Sequence, residues 1–158
     1  MVISIERCGP SEDGKARNMR NADITEFNAK TDYLFTGGIP SVGVGDGGNE
    51  IGMGNLAAVI PSVPTLVEKP CVTRVTKPVI ASVSNWGGYG LVAALSRQAG
   101  RNLLPSIDAE REVVQRSVAF GAVDSFSGER VDRVDGFSLE ENSRTLERLH
   151  ELISAGSH

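Results

Sequence analysis

Apolar positions in this chain fall into short runs separated by long polar, glycine-rich stretches. Residues 1–7 alternate weakly and predict a strand that begins at once. Residues 9–31 are polar and turn-rich, with Asp23 to Thr31 predicted as a short helix. Ser41-Val42-Gly43-Val44-Gly45 is an apolar segment that leads into a very glycine-rich turn. Asn55 to Ile60 predicts a helix stopped by Pro61. Pro61, Pro64, Pro70 and Pro78 make residues 61–78 loop or edge strand. Val79-Ile80-Ala81-Ser82-Val83 reads as the clearest buried strand, β-branched and uncharged. A helix follows through Leu91, Val92, Ala94 and Leu95 and ends at Gly100, a residue suited to that end. Another helix is predicted over 107–120, with Ile107, Val114 and Val118 on one side and Gly121 behind it. Ser125 to Gly136 is a charged turn region. Ser138-Leu139-Glu140-Glu141 is a capping box; it opens a last helix with Leu139, Leu146, Leu149 and Ile153 on one stripe. Strands alternating with helices predict the α/β class: a parallel or mixed sheet flanked by helices, in a single domain over 1–158.

Composition narrows the chemistry. A net charge of −4 and a pI near 5.2 argue against a general nucleic-acid-binding face. No apolar run of about 18 residues is present to span a membrane. The first residues resemble neither a signal peptide nor a transit sequence, so the cytoplasm is the expected compartment and the mitochondrial matrix the alternative. Cys8 and Cys71 have no metal-ligand spacing and are expected to be free thiols. The two histidines, His150 and His158, both lie at the C-terminal end. That leaves no Ser-His-Asp triad and no histidine-rich zinc site. An enzyme built on this chain must work with carboxylates, amides, backbone dipoles or a bound ion. Cys8 lacks a nearby histidine to activate it as a nucleophile.

Two glycine-rich segments hold the candidate chemistry. Gly43-x-Gly45-x-x-Gly48 has dinucleotide-fingerprint spacing, but Asp46 inside the turn and Glu50 beside it would repel a diphosphate. Glu68, at about the right distance for a ribose contact, lies among prolines. A nucleotide-binding oxidoreductase is therefore the weakest reading. The same segment reads better as a site made of acids. Asp46 and Glu50 supply two carboxylates and Asn49 a fixed amide, while Gly47 and Gly48 leave backbone N–H groups bare. Crowded carboxylates split their pKa values and yield an acid and a base in one pocket. Asp46 and Glu50 can alternatively coordinate Mg²⁺ or Mn²⁺. The second segment, Val83-Ser84-Asn85-Trp86-Gly87-Gly88-Tyr89-Gly90, repeats the order of strand, tight turn and helix start. Asn85 can hydrogen-bond a carboxylate or carbonyl, and Trp86 can wall a pocket. Both turns are expected at the carboxyl ends of strands, where ligands sit in open α/β sheets. Arg7, Arg17 and Arg20 are candidates to clamp a carboxylate.

The run Gly45-Asp46-Gly47-Gly48-Asn49-Glu50-Ile51-Gly52-Met53-Gly54 resembles the signature of the D-glutamate cyclase family, in its C-terminal domain. Three further stretches are similar to that family in the same order. They are Ile5-Glu6-Arg7-Cys8-Gly9 with Asp13-Gly14 and Asn18-Met19-Arg20; Val83 to Tyr89; and Gly121-Ala122-Val123-Asp124 followed by Val134-Asp135-Gly136. Cys8 and Pro10 stand where the pattern has proline and arginine, and Asn21 where it has glycine. The family domain extends further toward the N-terminus, so the chain is expected to be its C-terminal part.

The resemblance implies a hydro-lyase that interconverts D-glutamate with 5-oxo-D-proline and water. Amine and γ-carboxyl belong to one molecule, so ring closure has a high effective molarity and needs no ATP or redox cofactor. On this reading Asp46 and Glu50 transfer protons or hold an ion. Asn49, Asn85 and the N–H groups of Gly47, Gly48, Gly87 and Gly88 serve as donors, and Arg7 or Arg20 holds the α-carboxylate. The partner is a small amino acid, with neither nucleic acid nor membrane; association into a homo-oligomer stays open. A non-enzymatic domain that binds a small acidic metabolite is the alternative.

Overall fold

The computed structural model describes residues 1–155; His158 lies outside the described residues. The chain is of the α/β class. It gathers into two compact units, Met1–Gly87 and the part from Gly88 onward.

The first unit is built on three parallel strands, β1 (Val2–Ile5), β2 (Ser41–Gly45) and β3 (Lys77–Ile80), in the order β1-β2-β3. Ile5 pairs with Val44, and Val44 with Val79. All five residues of β2 are buried, as a central parallel strand requires. Among the described residues β3 pairs only with β2, and Pro78 is tolerated on such an edge strand. This corrects the expectation of a buried strand over 79–83. Ile80 is 53% exposed, and the strand stops there; only Val83, beyond it, is fully buried.

Parallel neighbours need long crossovers, and here both crossovers are loops rather than α-helices. The helix expected over Asp23 to Thr31 does not form. The Asp23 carboxylate instead accepts both the backbone N–H and the hydroxyl of Thr25, a local turn that competes with helix. Over 55–60, too, the helix gives way to 3₁₀ turns at Met53–Asn55 and Ile60–Ser62. The Asn55 side chain pairs both ways with the backbone of Val75, as a strand neighbour would. These loops close over Met53, Ile60, Val67 and Cys71, the core of the unit.

Helix α1 (Ser84–Ala99) starts directly at Ser84. The second glycine-rich segment is thus no turn ahead of a helix but the first turns of the helix itself. Each glycine costs a helix about 1 kcal/mol relative to alanine. At Gly87 the reason is visible: a Cβ there would lie 2.6 Å from Val44 Cγ1 on the central strand.

In the second unit, α1 ends before Gly100, which has φ +65°. Helix α2 (Ile107–Ala119) is capped by the Ser106 hydroxyl, which accepts from Ala109 N–H. The hairpin β4 (Arg133–Val134) and β5 (Phe137–Ser138) leads into α3 (Leu139–Ala155). The capping box forms as expected: Glu141 Oε2 accepts from Ser138 N–H, and Ser138 Oγ from Glu141 N–H. Leu146 and Ile153 are buried, while Leu139 and Leu149 are half-buried. Asp124 organises the loop before the hairpin by accepting N–H groups from Ser127 and Gly136. Burial works to raise its carboxyl pKa, yet those bonds together hold it below the ordinary value. Among the described residues no helix is long and apolar enough to cross a membrane.

Gly87→Ala sets two effects against each other. Helix propensity favours alanine by about 1 kcal/mol, whereas forcing a methyl against Val44 costs about 1–3 kcal/mol. The crowding is expected to win, lowering the urea midpoint. A midpoint at or above wild type would show that Val44 yields without cost.

Candidate functional site

At the carboxyl end of β2 the chain turns back on itself through Asp46-Gly47-Gly48-Asn49-Glu50. Glu50 is 1% exposed. Its Oε1 accepts the N–H groups of Asp46 (3.1 Å) and Gly47 (2.8 Å), and its Oε2 that of Gly48 (2.8 Å). A buried carboxylate is costly unless it is hydrogen-bonded, and three backbone donors meet that need. The glycines make room for it. A Cβ on Gly45 would stand 2.9 Å from the Glu50 carboxyl carbon, and Gly48 has φ +99°. The N–H groups of Gly47 and Gly48 are therefore committed to Glu50. This corrects the expectation that they await a substrate oxyanion: a carboxylate three or two residues away reaches them first. The Gly87 N–H is likewise taken, by the Val83 carbonyl.

Asp46 is half-buried, and its Oδ2 accepts the backbone N–H of Ser84 at 2.8 Å. The first-turn loop and the start of α1 thus meet at one carboxylate. Burial, then the negative charges of Glu6 and Glu50, push the Asp46 pKa up to about 7. Carboxylate oxygens of Glu6, Asp46 and Glu50 lie within 4.8 Å of one another. Three hard-oxygen donors of this kind suit Mg²⁺ or Mn²⁺. Glu6 is the member that the sequence reading missed. Its signal was its place just past β1, beside the end of β2 in a parallel sheet.

Asn49 is buried. Its Nδ2 donates to the Arg17 carbonyl (2.8 Å) and to Cys8 Sγ (3.1 Å), while its Oδ1 is buried with no hydrogen-bond partner. The Ser84 hydroxyl is also fully buried and unpartnered. Burial pushes the Cys8 thiol up, and the neighbouring Glu50 and Glu6 charges push it further, so it is no thiolate nucleophile. Arg7 donates to the Ala29 carbonyl at 3.0 Å. Arg17 is committed to Asp13 and Ser11. Arg20 is exposed and next to Met19, whose sulfur covers the bare Cα of Gly47. On the first turn of α1, Asn85 is exposed and Trp86 half-buried; Gly88 is buried and begins the second unit. A separate cleft of about 490 Å³ is lined by Ser11, Asp13, Pro61, Glu68 and Lys69, among others. There Asp13 is already paired with Arg17 and Lys69.

A family model described as D-glutamate cyclase-like, C-terminal, matches residues 1–150. The chain belongs to that family. It is 42% identical over 100 residues to the mitochondrial D-glutamate cyclase of Homo sapiens, a match covering 60% of this chain and 16% of that protein. The chain thus corresponds to about a sixth of that relative's length. Two departures from the D-glutamate cyclase pattern have local explanations. Asn21, at a glycine position, adopts φ +58°, a conformation asparagine tolerates better than most residues. Cys8 sits half-buried as the acceptor of the Asn49 amide.

The raised Asp46 pKa fixes a sign for stability. An unfolded aspartate titrates near 3.9 and Asp46 near 7, so the folded state holds the proton more tightly. The stability this confers is fully present below about pH 4 and is lost as the pH rises to about 7. The melting temperature of wild type relative to Asp46→Asn is therefore expected to fall between those limits and level off above about pH 8. A difference independent of pH would make Asp46 an ordinary surface aspartate.

Proposed function

We propose that this chain carries the carboxylate centre of a hydro-lyase that interconverts D-glutamate with 5-oxo-D-proline and water. The supporting observation is a half-buried aspartate with a pKa near 7, clamped on a rigid loop in a member of the D-glutamate cyclase-like family. A general base works best when its pKa lies near the operating pH. In this reading Asp46 takes a proton from the α-ammonium, and the freed amine attacks the γ-carboxyl carbon. The C–O bond breaks and that oxygen leaves as water, carrying the proton that Asp46 returns and the second proton that the attacking nitrogen loses. Glu50 holds the loop and does not move protons, because its oxygens are occupied by backbone donors. The buried Ser84 hydroxyl supplies the donor for the tetrahedral oxyanion. Asn49 orients the loop through Arg17 and Cys8, and Asn85 and Trp86 border the site on the α1 side. Arg7 or Arg20 holds the α-carboxylate; Arg20 is exposed beside Met19, whose sulfur lies against Gly47.

One observation favours a second reading: three carboxylates converge within 4.8 Å. In it, a divalent cation, Mg²⁺ or Mn²⁺, neutralises them and polarises the γ-carboxyl. The compartment is proposed to be reducing, cytoplasm or mitochondrial matrix; both cysteines are free thiols, and the human relative is mitochondrial by name.

Purified protein incubated with either D-glutamate or 5-oxo-D-proline is expected to interconvert them, as read by chiral chromatography. Asp46→Asn should lower turnover by about 10²-fold or more. Full turnover in that variant would remove the proton-transfer role. Binding without interconversion would favour a metabolite-binding domain, and an NAD-dependent thermal shift an oxidoreductase. Loss of activity on chelation, restored by Mn²⁺ or Mg²⁺, would select the cation reading.

A further inference from the structure

We propose that Glu6 receives the substrate's ammonium group and presents it to Asp46. The inference rests on the cyclase reading and names a residue that neither sequence reasoning nor family membership assigned.

Glu6 follows β1, and the pairing of Ile5 with Val44 carries its side chain to the end of β2, where Asp46 begins the loop. Its backbone is left-handed, φ +54°, a conformation unfavourable at a non-glycine position. The conformation is held from both sides. Glu6 N–H donates to the Val44 carbonyl (3.1 Å), and just beyond it Ile51 N–H donates to the Arg7 carbonyl (2.8 Å), with Cys8 bridged to Glu50. The kink turns the chain onto the loop and leaves the Glu6 carboxylate within 4.8 Å of the other two.

The three acids differ in exposure. Glu50 is buried and occupied by three N–H groups, and Asp46 is half-buried and bonded to Ser84. Glu6 alone of the three is exposed, so a cation entering from solvent meets it first. Two further groups lack what an ammonium brings. Ser84 Oγ, 0% exposed, and Asn49 Oδ1, on a residue 6% exposed, are buried without partners on the residues flanking Asp46 in space and in sequence. Both accept N–H donors, and an ammonium carries three. A divalent ion would compete for the same carboxylates, with waters completing its shell.

D-Glutamate carries an ammonium; 5-oxo-D-proline and glutarate do not. Glu6→Gln should therefore raise the KM for D-glutamate about tenfold. The KM for 5-oxo-D-proline and the inhibition constant of glutarate should stay within about twofold. Detailed balance requires kcat/KM to fall equally in both directions, so the reverse loss appears in kcat. Glu6→Asp, which keeps the charge on a shorter stem, should fall between the two and serves if Glu6→Gln does not fold. Parallel rises in both KM values, or a glutarate constant that rises with them, would overturn the proposal. So would an effect that disappears in chelator and returns with Mn²⁺, which would make Glu6 a metal ligand. If wild type shows no turnover, calorimetry with D-glutamate and glutarate separates the two ideas. Selective weakening of D-glutamate binding in Glu6→Gln supports the Glu6 role although the cyclase reading has failed. Equal weakening, or no D-glutamate binding to wild type, overturns the Glu6 role as well.

Discussion

The buried Glu50 carboxylate is the constraint on which the site depends. Removing an ion from water costs several kcal/mol even after relaxation, so the side chain is stable there only while its oxygens stay saturated. The saturating groups are the three consecutive N–H groups of Asp46, Gly47 and Gly48. Wrapping a backbone around a carboxylate in this way leaves no room for a Cβ at 45 and sets a positive φ at 48. It also fixes where Asp46 points. The loop is consequently rigid for an electrostatic reason. Its rigidity places a second carboxylate beside the first, where burial and then like charges make that second acid hold a proton near neutrality. Anchor and proposed reactive group are thus two roles produced by one arrangement, and they differ in their donors: Glu50 accepts three backbone N–H groups and Asp46 one.

The start of α1 completes the arrangement. Ser84 N–H is a helix-terminal donor with no intrahelical partner, and Asp46 satisfies it. Gly87 lets the first turn of α1 lie against Val44 on the central strand. Either contact alone would locate the helix loosely. Together they bind its first turn to the same strand, β2, whose carboxyl end carries the acidic loop. This is the position at which parallel α/β sheets generally hold ligands, here reached with crossovers made of loops in place of helices.

Much of this was legible in sequence, for identifiable reasons. The run from Gly45 to Gly54 announced a carboxylate site because so many glycines around two acids have few structural uses. β2, α2 and the capping box of α3 were legible because each depends on neighbours in sequence. Features that depend on distant partners were not. Nothing local marks Asn55 as a partner for Val75. Val79 and Ile80 look like a core strand until the sheet is known to end at β3. Glu50 looked like a second proton-transfer group because its three donors become visible only once the loop is folded. Glu6 was overlooked because 40 residues separate it from Asp46; only parallel pairing of β1 and β2 brings them together.

That pairing also explains how a left-handed glutamate is tolerated. The strain at Glu6 is of the order of one hydrogen bond, and backbone bonds on either side of it belong to the sheet and to the Arg7–Ile51 and Cys8–Glu50 contacts. Relaxing φ at residue 6 would break several bonds to relieve one strained residue, so the sheet enforces the kink. The same reasoning applies to the crowding of the three acids. Their mutual repulsion is offset by groups that do not touch solvent: backbone N–H donors on Glu50 and the helix terminus on Asp46. Beside them the Glu6 carboxylate is exposed, and the buried oxygens of Ser84 and Asn49 lack hydrogen-bond partners. An arrangement that satisfies its inner acids and holds an exposed carboxylate beside them is complementary to a small cation that brings its own hydrogens.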